Sequence, residues 1–183
     1  MEQYAPIALA DEGDRPKVGL QMGSVNNECT GVVTCLDVTL DVLKKAVENG
    51  CNMVVSHHPM IYYPLQKIDE SEVNGKAIAY AFRHGITVYS AHTNFDKCEV
   101  GTNASLVKMF DGKIVDTFEC CFVAEVEPIS VRDLAKKVAN VLGDKSVKVV
   151  GNLDKTVTKF AVCSGGGGGA YSYFAYARNN ANV

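Results

Sequence analysis

A chain of 183 residues, 47% hydrophobic and 21% charged, has the composition of an ordinary globular protein, long enough to bury a core and neither disordered nor fibrous. Its 18 Lys and Arg against 21 Asp and Glu give a net charge of −3, and no basic run gathers on any segment, which argues against nucleic acid as a partner. No apolar stretch approaches the ~20 residues of a membrane-spanning helix, and residues 1–15 lack the basic-then-apolar order of a signal peptide, so the expected location is the cytoplasm, with no membrane partner.

In chain order, apolar strand-like runs alternate with amphipathic runs from residue 31 onward, which predicts an α/β fold: a layered sheet with flanking helices. Residues 31–38 read as a strand. Thr39 caps a helix to residue 49, with Leu40, Leu43, Ala46 and Val47 at helical spacing and Gly50 as its stop. Residues 52–56 form a second strand. A second helix covers residues 71–84 through Val73, Ala77, Ile78, Ala81 and Phe82, stopped by Gly85, and residues 86–91 form a third strand. Residues 101–110 read as a short helix, and Asp111-Gly112 is a turn at which the pattern changes.

The expected division follows from that turn: a metal-binding α/β unit over residues 1–112 and a related α/β unit over residues 113–183. In the second unit residues 118–128 are strand-like, and Ser130 with Asp133 opens a helix to Leu142. Residues 147–150 and 157–164 read as two further strands, followed by five glycines and a helix over residues 170–179. Residues 181–183 look like the start of a strand, so this unit is expected to be incomplete and the chain to be a fragment.

Seven cysteines form no CxxC pair, and most sit in apolar runs such as Val33-Thr34-Cys35-Leu36. They are expected as reduced core residues and not as a disulfide framework or zinc ribbon. Ligand chemistry therefore falls to histidine and carboxylate.

Two motifs carry it. In Val54-Val55-Ser56-His57-His58-Pro59 two histidines leave a buried strand directly, and Pro59 biases His58 away from helix. The carboxyl ends of strands in open α/β sheets are where such folds bind ligands, although two histidines there also suit a plain polar strand end. In Tyr89-Ser90-Ala91-His92-Thr93-Asn94-Phe95-Asp96 ligand-type residues again follow a strand. His57, His58 and Asp96 are a candidate partial ligand set for zinc, iron, manganese or nickel. His92 is open between ligand, general acid or base, and a partner that orients Asp96. The glycines after Cys163 admit a phosphate-loop reading but lack its Gly-Lys-Ser/Thr ending, so a structural turn is preferred.

Lys17-Val18-Gly19-Leu20-Gln21-Met22-Gly23, Cys35-Leu36-Asp37-Val38-Thr39, Ser56-His57-His58-Pro59 and Ala91-His92-Thr93-Asn94-Phe95-Asp96, with Gly101-Thr102-Asn103 following, occur here in one order. As an ordered set they resemble the dinuclear metal-centre proteins, also called GTP cyclohydrolase I type 2 homologues or NIF-three-like proteins. A weaker likeness runs through Val149-Val150-Gly151 and Ala161-Val162-Cys163-Ser164-Gly165. The resemblance implies two metal ions held by His57, His58, Asp96 and a later histidine and glutamate, and this sequence has no histidine after His92. It also implies two α/β units facing across a cleft and a homo-oligomer, a ring-shaped homohexamer. The expected activity is metal-dependent hydrolysis of a small-molecule substrate, with His92 as the catalytic acid or base. The alternative is a non-catalytic metal-binding scaffold, which needs no proton-transfer residue.

Overall fold

The computed structural model describes residues 1–167 and 169–183. Among them the chain forms two sheets and six α-helices, in two compact units, Met1–Phe95 and Asp96–Val183. No helix among the described residues is long and apolar enough to cross a membrane.

The first unit is built on strands β1 (Gly19–Met22), β2 (Val32–Cys35), β3 (Met53–Ser56) and β4 (Thr87–Ser90), arranged β1-β4-β3-β2. The last three are parallel, with Cys35 opposite Ser56 and Ser56 opposite Ser90, so all three end at one level. Helix α1 (Leu40–Glu48) begins as its sequence predicts: the Thr39 hydroxyl accepts the Val42 N–H at 3.3 Å. Its Leu43 and Ala46 join Val54, Ile78, Ala81 and Val88 in one buried cluster. On helix α2 (Val73–Arg83) the buried stripe is narrower than its spacing predicts: Ala77, Ile78 and Ala81 are buried, whereas Val73 is 85% and Phe82 60% exposed. Val73 opens the helix, and Phe82 follows the fully buried Ala81 by one residue, about 100° round the helix and off the buried stripe.

Strand β1 was not expected as an element. It is an antiparallel edge strand on β4, and its exit needs Gly23: at φ 92° a Cβ there would lie 2.7 Å from the Thr87 Cα.

The second unit holds α4 (Thr102–Met109), β5 (Lys113–Phe118), β6 (Cys121–Ser130), α5 (Val131–Leu142), β7 (Thr156–Val162) and α6 (Tyr171–Asn180), with an antiparallel β5-β6-β7 sheet. The strand expected over residues 118–128 is β6; β5, which was not expected, precedes it and joins it in a hairpin turned at Glu119 with φ 54°. Ala104 and Val107 of α4 and Phe110 just after it pack with Phe122, Leu134, Val157 and Phe160 in one core. That packing assigns α4 to the second unit, so the compact division comes earlier than the Asp111-Gly112 turn. The α5 cap is as expected, with the Asp133 N–H donating to Ser130 Oγ at 3.1 Å.

The strand expected over residues 147–150 does not form. The segment has β-prone valines but no strand beside it, and Val150 is fully exposed. Residues 181–183 are not assigned as strand, yet they lie along β7: Asn182 N–H donates to Lys159 O at 3.0 Å and Ala161 N–H to Val183 O at 2.8 Å.

Candidate metal centre

Because β2, β3 and β4 end in register, Asp37, the His57-His58 pair and His92 follow three neighbouring strands at one edge of the sheet. The ladder continues past the strands: His57 N–H donates to Cys35 O at 3.0 Å, His58 N–H to Leu36 O at 2.9 Å, and Ala91 N–H to Ser56 O at 2.9 Å. Beneath them the Ser56 and Ser90 hydroxyls lie 2.8 Å apart. Ser56 gives its one proton to the His58 carbonyl at 2.8 Å, so Ser90 donates to Ser56. The serine hydroxyl thus ties down the turn that Pro59 completes.

One ligand-capable nitrogen from each of His57, His58 and His92 lies within 4.8 Å of the others. The ring centroids are 5.2 Å apart for His57 and His58, 5.0 Å for His57 and His92, and 5.7 Å for His58 and His92. Each Nδ1 faces an oxygen acceptor: Ala91 O at 3.0 Å for His57, Asp37 Oδ1 at 2.8 Å for His58, and Asp14 Oδ2 at a short contact for His92. An Nδ1–H donated to each acceptor leaves the lone pair on Nε2, which is the tautomer a metal ligand requires. The donor chemistry fits zinc, iron or nickel, for which neutral imidazole is a suitable ligand.

Asp14 is only 6% exposed, unusual for a carboxylate. It accepts from the Thr93 hydroxyl at 3.0 Å as well as from His92, with the Lys17 ammonium 3.9 Å away. Asn94, fully buried, accepts the His92 N–H at 2.9 Å and donates to Ala5 O at 2.8 Å, fixing the loop that presents His92.

His92, which its sequence left open between ligand, general acid or base, and a partner of Asp96, is grouped with the two histidines of the His-His-Pro motif. Asp96 opens the second unit, inside the short helix α3 (Thr93–Lys97). Its carboxylate accepts a short hydrogen bond from the Thr102 hydroxyl, and its carbonyl accepts the Asn103 side-chain amide at 3.1 Å. Asn103 in turn accepts the Ser164 N–H at 2.7 Å, so the Gly101-Thr102-Asn103 motif joins Asp96 to the start of the glycine run.

Sequence reasoning gave no role to Asp14 or Asp37. Asp37 stood within a quoted motif and at a strand end, the one signal available for it. Asp14 lies 78 residues from its histidine partner in a polar stretch with no periodicity. Replacing Asp14 by Asn offers an amide donor where His92 needs an acceptor, which disfavours the ligand tautomer. Asp14→Asn is expected to weaken zinc binding by about 10–100-fold, the usual cost of losing a residue that orients a ligand, as measured by competition with a chromophoric chelator.

The cysteines stand apart from this group. Burial raises the Cys35, Cys98 and Cys121 thiols, and burial with Cys121 and Asp96 nearby pushes Cys163 up to about 11, which keeps them protonated near neutral pH. Cys98→Ser is accordingly expected to leave the metal content of the purified protein unchanged by elemental analysis.

Residues 1–182 match the family described as Duf34/NIF3 (NGG1p interacting factor 3). A GTP cyclohydrolase 1 type 2 homolog of Clostridium acetobutylicum is 33% identical over 178 residues, 91% of this chain and 66% of that protein. A protein of the same description from Lactococcus lactis is 32% identical over 174 residues, 91% of this chain and 67% of its own. The chain thus spans about two thirds of the length of these curated relatives. Among solved structures, a hypothetical protein of Staphylococcus aureus superposes with a TM-score of 0.84 at 26% identity, covering 100% of this chain and 74% of that one. Reduced HcgD from Methanocaldococcus jannaschii superposes with a TM-score of 0.72 at 28% identity, covering 100% and 73%. By its sequence over nearly all its length and by its fold, the chain belongs to the Duf34/NIF3 family.

Proposed function

We propose that this chain binds a divalent transition-metal ion through His57, His58 and His92, with Asp96 as a further ligand, and that the bound metal serves hydrolysis of a small-molecule substrate. The observation that supports the reading most is the set of three imidazoles at the carboxyl edge of parallel strands, each with Nδ1 against an oxygen. A divalent ion seated there would lower the pKa of water towards neutrality. The residues' own part is to present neutral Nε2 donors and to hold them still. The Ala91 carbonyl, Asp37 and Asp14 fix the three rings, and the two carboxylates offset part of the charge of a dication. Three imidazoles and one carboxylate fill a tetrahedral shell, so water would enter as a fifth ligand or in the place of Asp96.

Relatives described as GTP cyclohydrolase 1 type 2 homologs make GTP the first substrate to test. The experiment is calorimetric titration of the metal-free protein with zinc and manganese, followed by a GTP hydrolysis assay on the loaded protein with release of formate as the readout. Saturable binding that His92→Ala weakens, together with metal-dependent turnover, is the expected result. No saturable binding would overturn the metal reading. Binding without turnover of GTP would leave the site and remove the substrate.

A further inference from the structure

In the second unit Cys121, at the start of β6, and Cys163, just past the end of β7, line one cavity with residues of α6. The β6–β7 ladder pairs Val123 with Ala161 and ends at Phe122 with Val162, and Cys121 and Cys163 are the residues one step beyond that last pair. Directly opposed residues of an antiparallel pair have Cα atoms about 4.5–5.5 Å apart, inside the roughly 4.4–6.8 Å over which a disulfide closes without moving the backbone. Alternation along the strands puts both side chains on the Val123–Ala161 face, and there a cavity of about 180 Å³ is lined by Cys121, Ala161, Cys163, Gly167, Tyr173 and Phe174 among others. Both sulfurs are thiols, and each makes a weak contact with a carbonyl, Cys121 with Tyr173 O at 3.9 Å and Cys163 with Ser164 O at 3.7 Å.

Gly167 supplies a second, independent sign that the Cys163 sulfur has a place made for it. A Cβ at position 167 would lie 2.0 Å from Cys163 Sγ, so the sulfur occupies the space that any other residue would fill. Rotation of Cys163 about its Cα–Cβ bond moves this sulfur between Gly167 and the facing strand.

We propose that Cys121 and Cys163 are a reversible dithiol/disulfide pair, oxidised by a low-molecular-weight disulfide such as oxidised glutathione. Cys163 is half-buried and Cys121 is 2% exposed, so Cys163 reacts first. Its thiolate attacks one sulfur of the oxidant, forming a mixed disulfide and releasing one thiolate. Deprotonated Cys121 then attacks the Cys163 sulfur, closing the intramolecular bond and releasing the second thiolate. Two protons and two electrons pass from the pair to the oxidant, which leaves as two thiols. Closure draws Cys163 towards β6 and away from Gly167. Its neighbour Ser164 donates to Asn103, whose amide donates to the Asp96 carbonyl, so the thiol state is joined by two hydrogen bonds to the segment that carries Asp96.

The test is incubation of the reduced protein with oxidised glutathione, quenching with an alkylating agent in denaturant, and peptide mapping. The expected result is a linkage joining the peptides of Cys121 and Cys163, read by mapping and not by the thiol count, since the exposed Cys29 also takes up glutathione. The rate should rise with pH between pH 7 and 9, since the thiolate is the nucleophile. Cys120→Ala should keep the linkage, Cys121→Ala should stop at one glutathione on Cys163, and Cys163→Ala should lose no pair. Absence of the Cys121–Cys163 linkage at pH 9, or a linkage between Cys120 and Cys121 in its place, overturns the proposal, and both are read on the unmutated chain even if a variant fails to fold.

Discussion

His57→Ala combined with His58→Ala is expected to abolish transition-metal binding while leaving the metal-free protein folded. Structural zinc sites of about four ligands bind with apparent free energies of about 10–16 kcal/mol, which apportions roughly 5–8 kcal/mol to two imidazoles, or at least about a 10³-fold to 10⁴-fold loss of affinity. Stability has no comparable stake in them. His58 is exposed, His57 is half-buried, and neither belongs to the apolar cluster of Leu43, Val54, Ile78 and Val88. The strand-end hydrogen bonds at these positions come from the backbone and survive the substitution. The metal-free double variant should therefore melt close to the parent, within the ±0.5 kcal/mol typical of surface substitutions. Elemental analysis and melting curves decide the matter together: undiminished metal in a folded double variant sinks the assignment of these histidines.

Local signals carried those parts of the fold that local chemistry determines. Thr39 and Gly50 bound α1 and Ser130 opens α5, and in each case the structure shows the side-chain cap or a glycine at positive φ that made the signal meaningful. The His-His-Pro loop was legible for a similar reason, since apolar strand residues running into ligand-type residues mark a strand's carboxyl end. What failed was whatever depends on distant partners. Strand β1 is only Gly-Leu-Gln-Met and exists because β4 lies beside it, across nearly seventy residues of chain. Residues 147–150 show the reverse, a β-prone sequence without a neighbour to pair with. The candidate site divides along the same line. The imidazoles announce themselves by residue type, whereas Asp14 is an ordinary acidic residue until folding buries it against His92.

Asn103 offers the largest expected effect on stability and also a test of Asp96. It is completely buried in the second unit, accepting the Ser164 N–H at 2.7 Å and donating to the Asp96 carbonyl at 3.1 Å. Asn103→Ala removes both bonds and strands a backbone donor and a backbone acceptor, each costing about 1–3 kcal/mol when left unpaired. Partial burial of Ser164 and Asp96 lets water relieve some of that, so the expected loss is about 2–4 kcal/mol, or roughly 5–15 °C in Tm for a chain of this size. Metal affinity separates two roles for Asp96. As a ligand it needs the position that Asn103 and Thr102 give it, and loss of that support should weaken zinc binding by about tenfold at a temperature where the variant is folded. A folded Asn103→Ala protein that binds zinc as tightly as the parent would take Asp96 out of the ligand set, leaving the metal to the three histidines of the first unit.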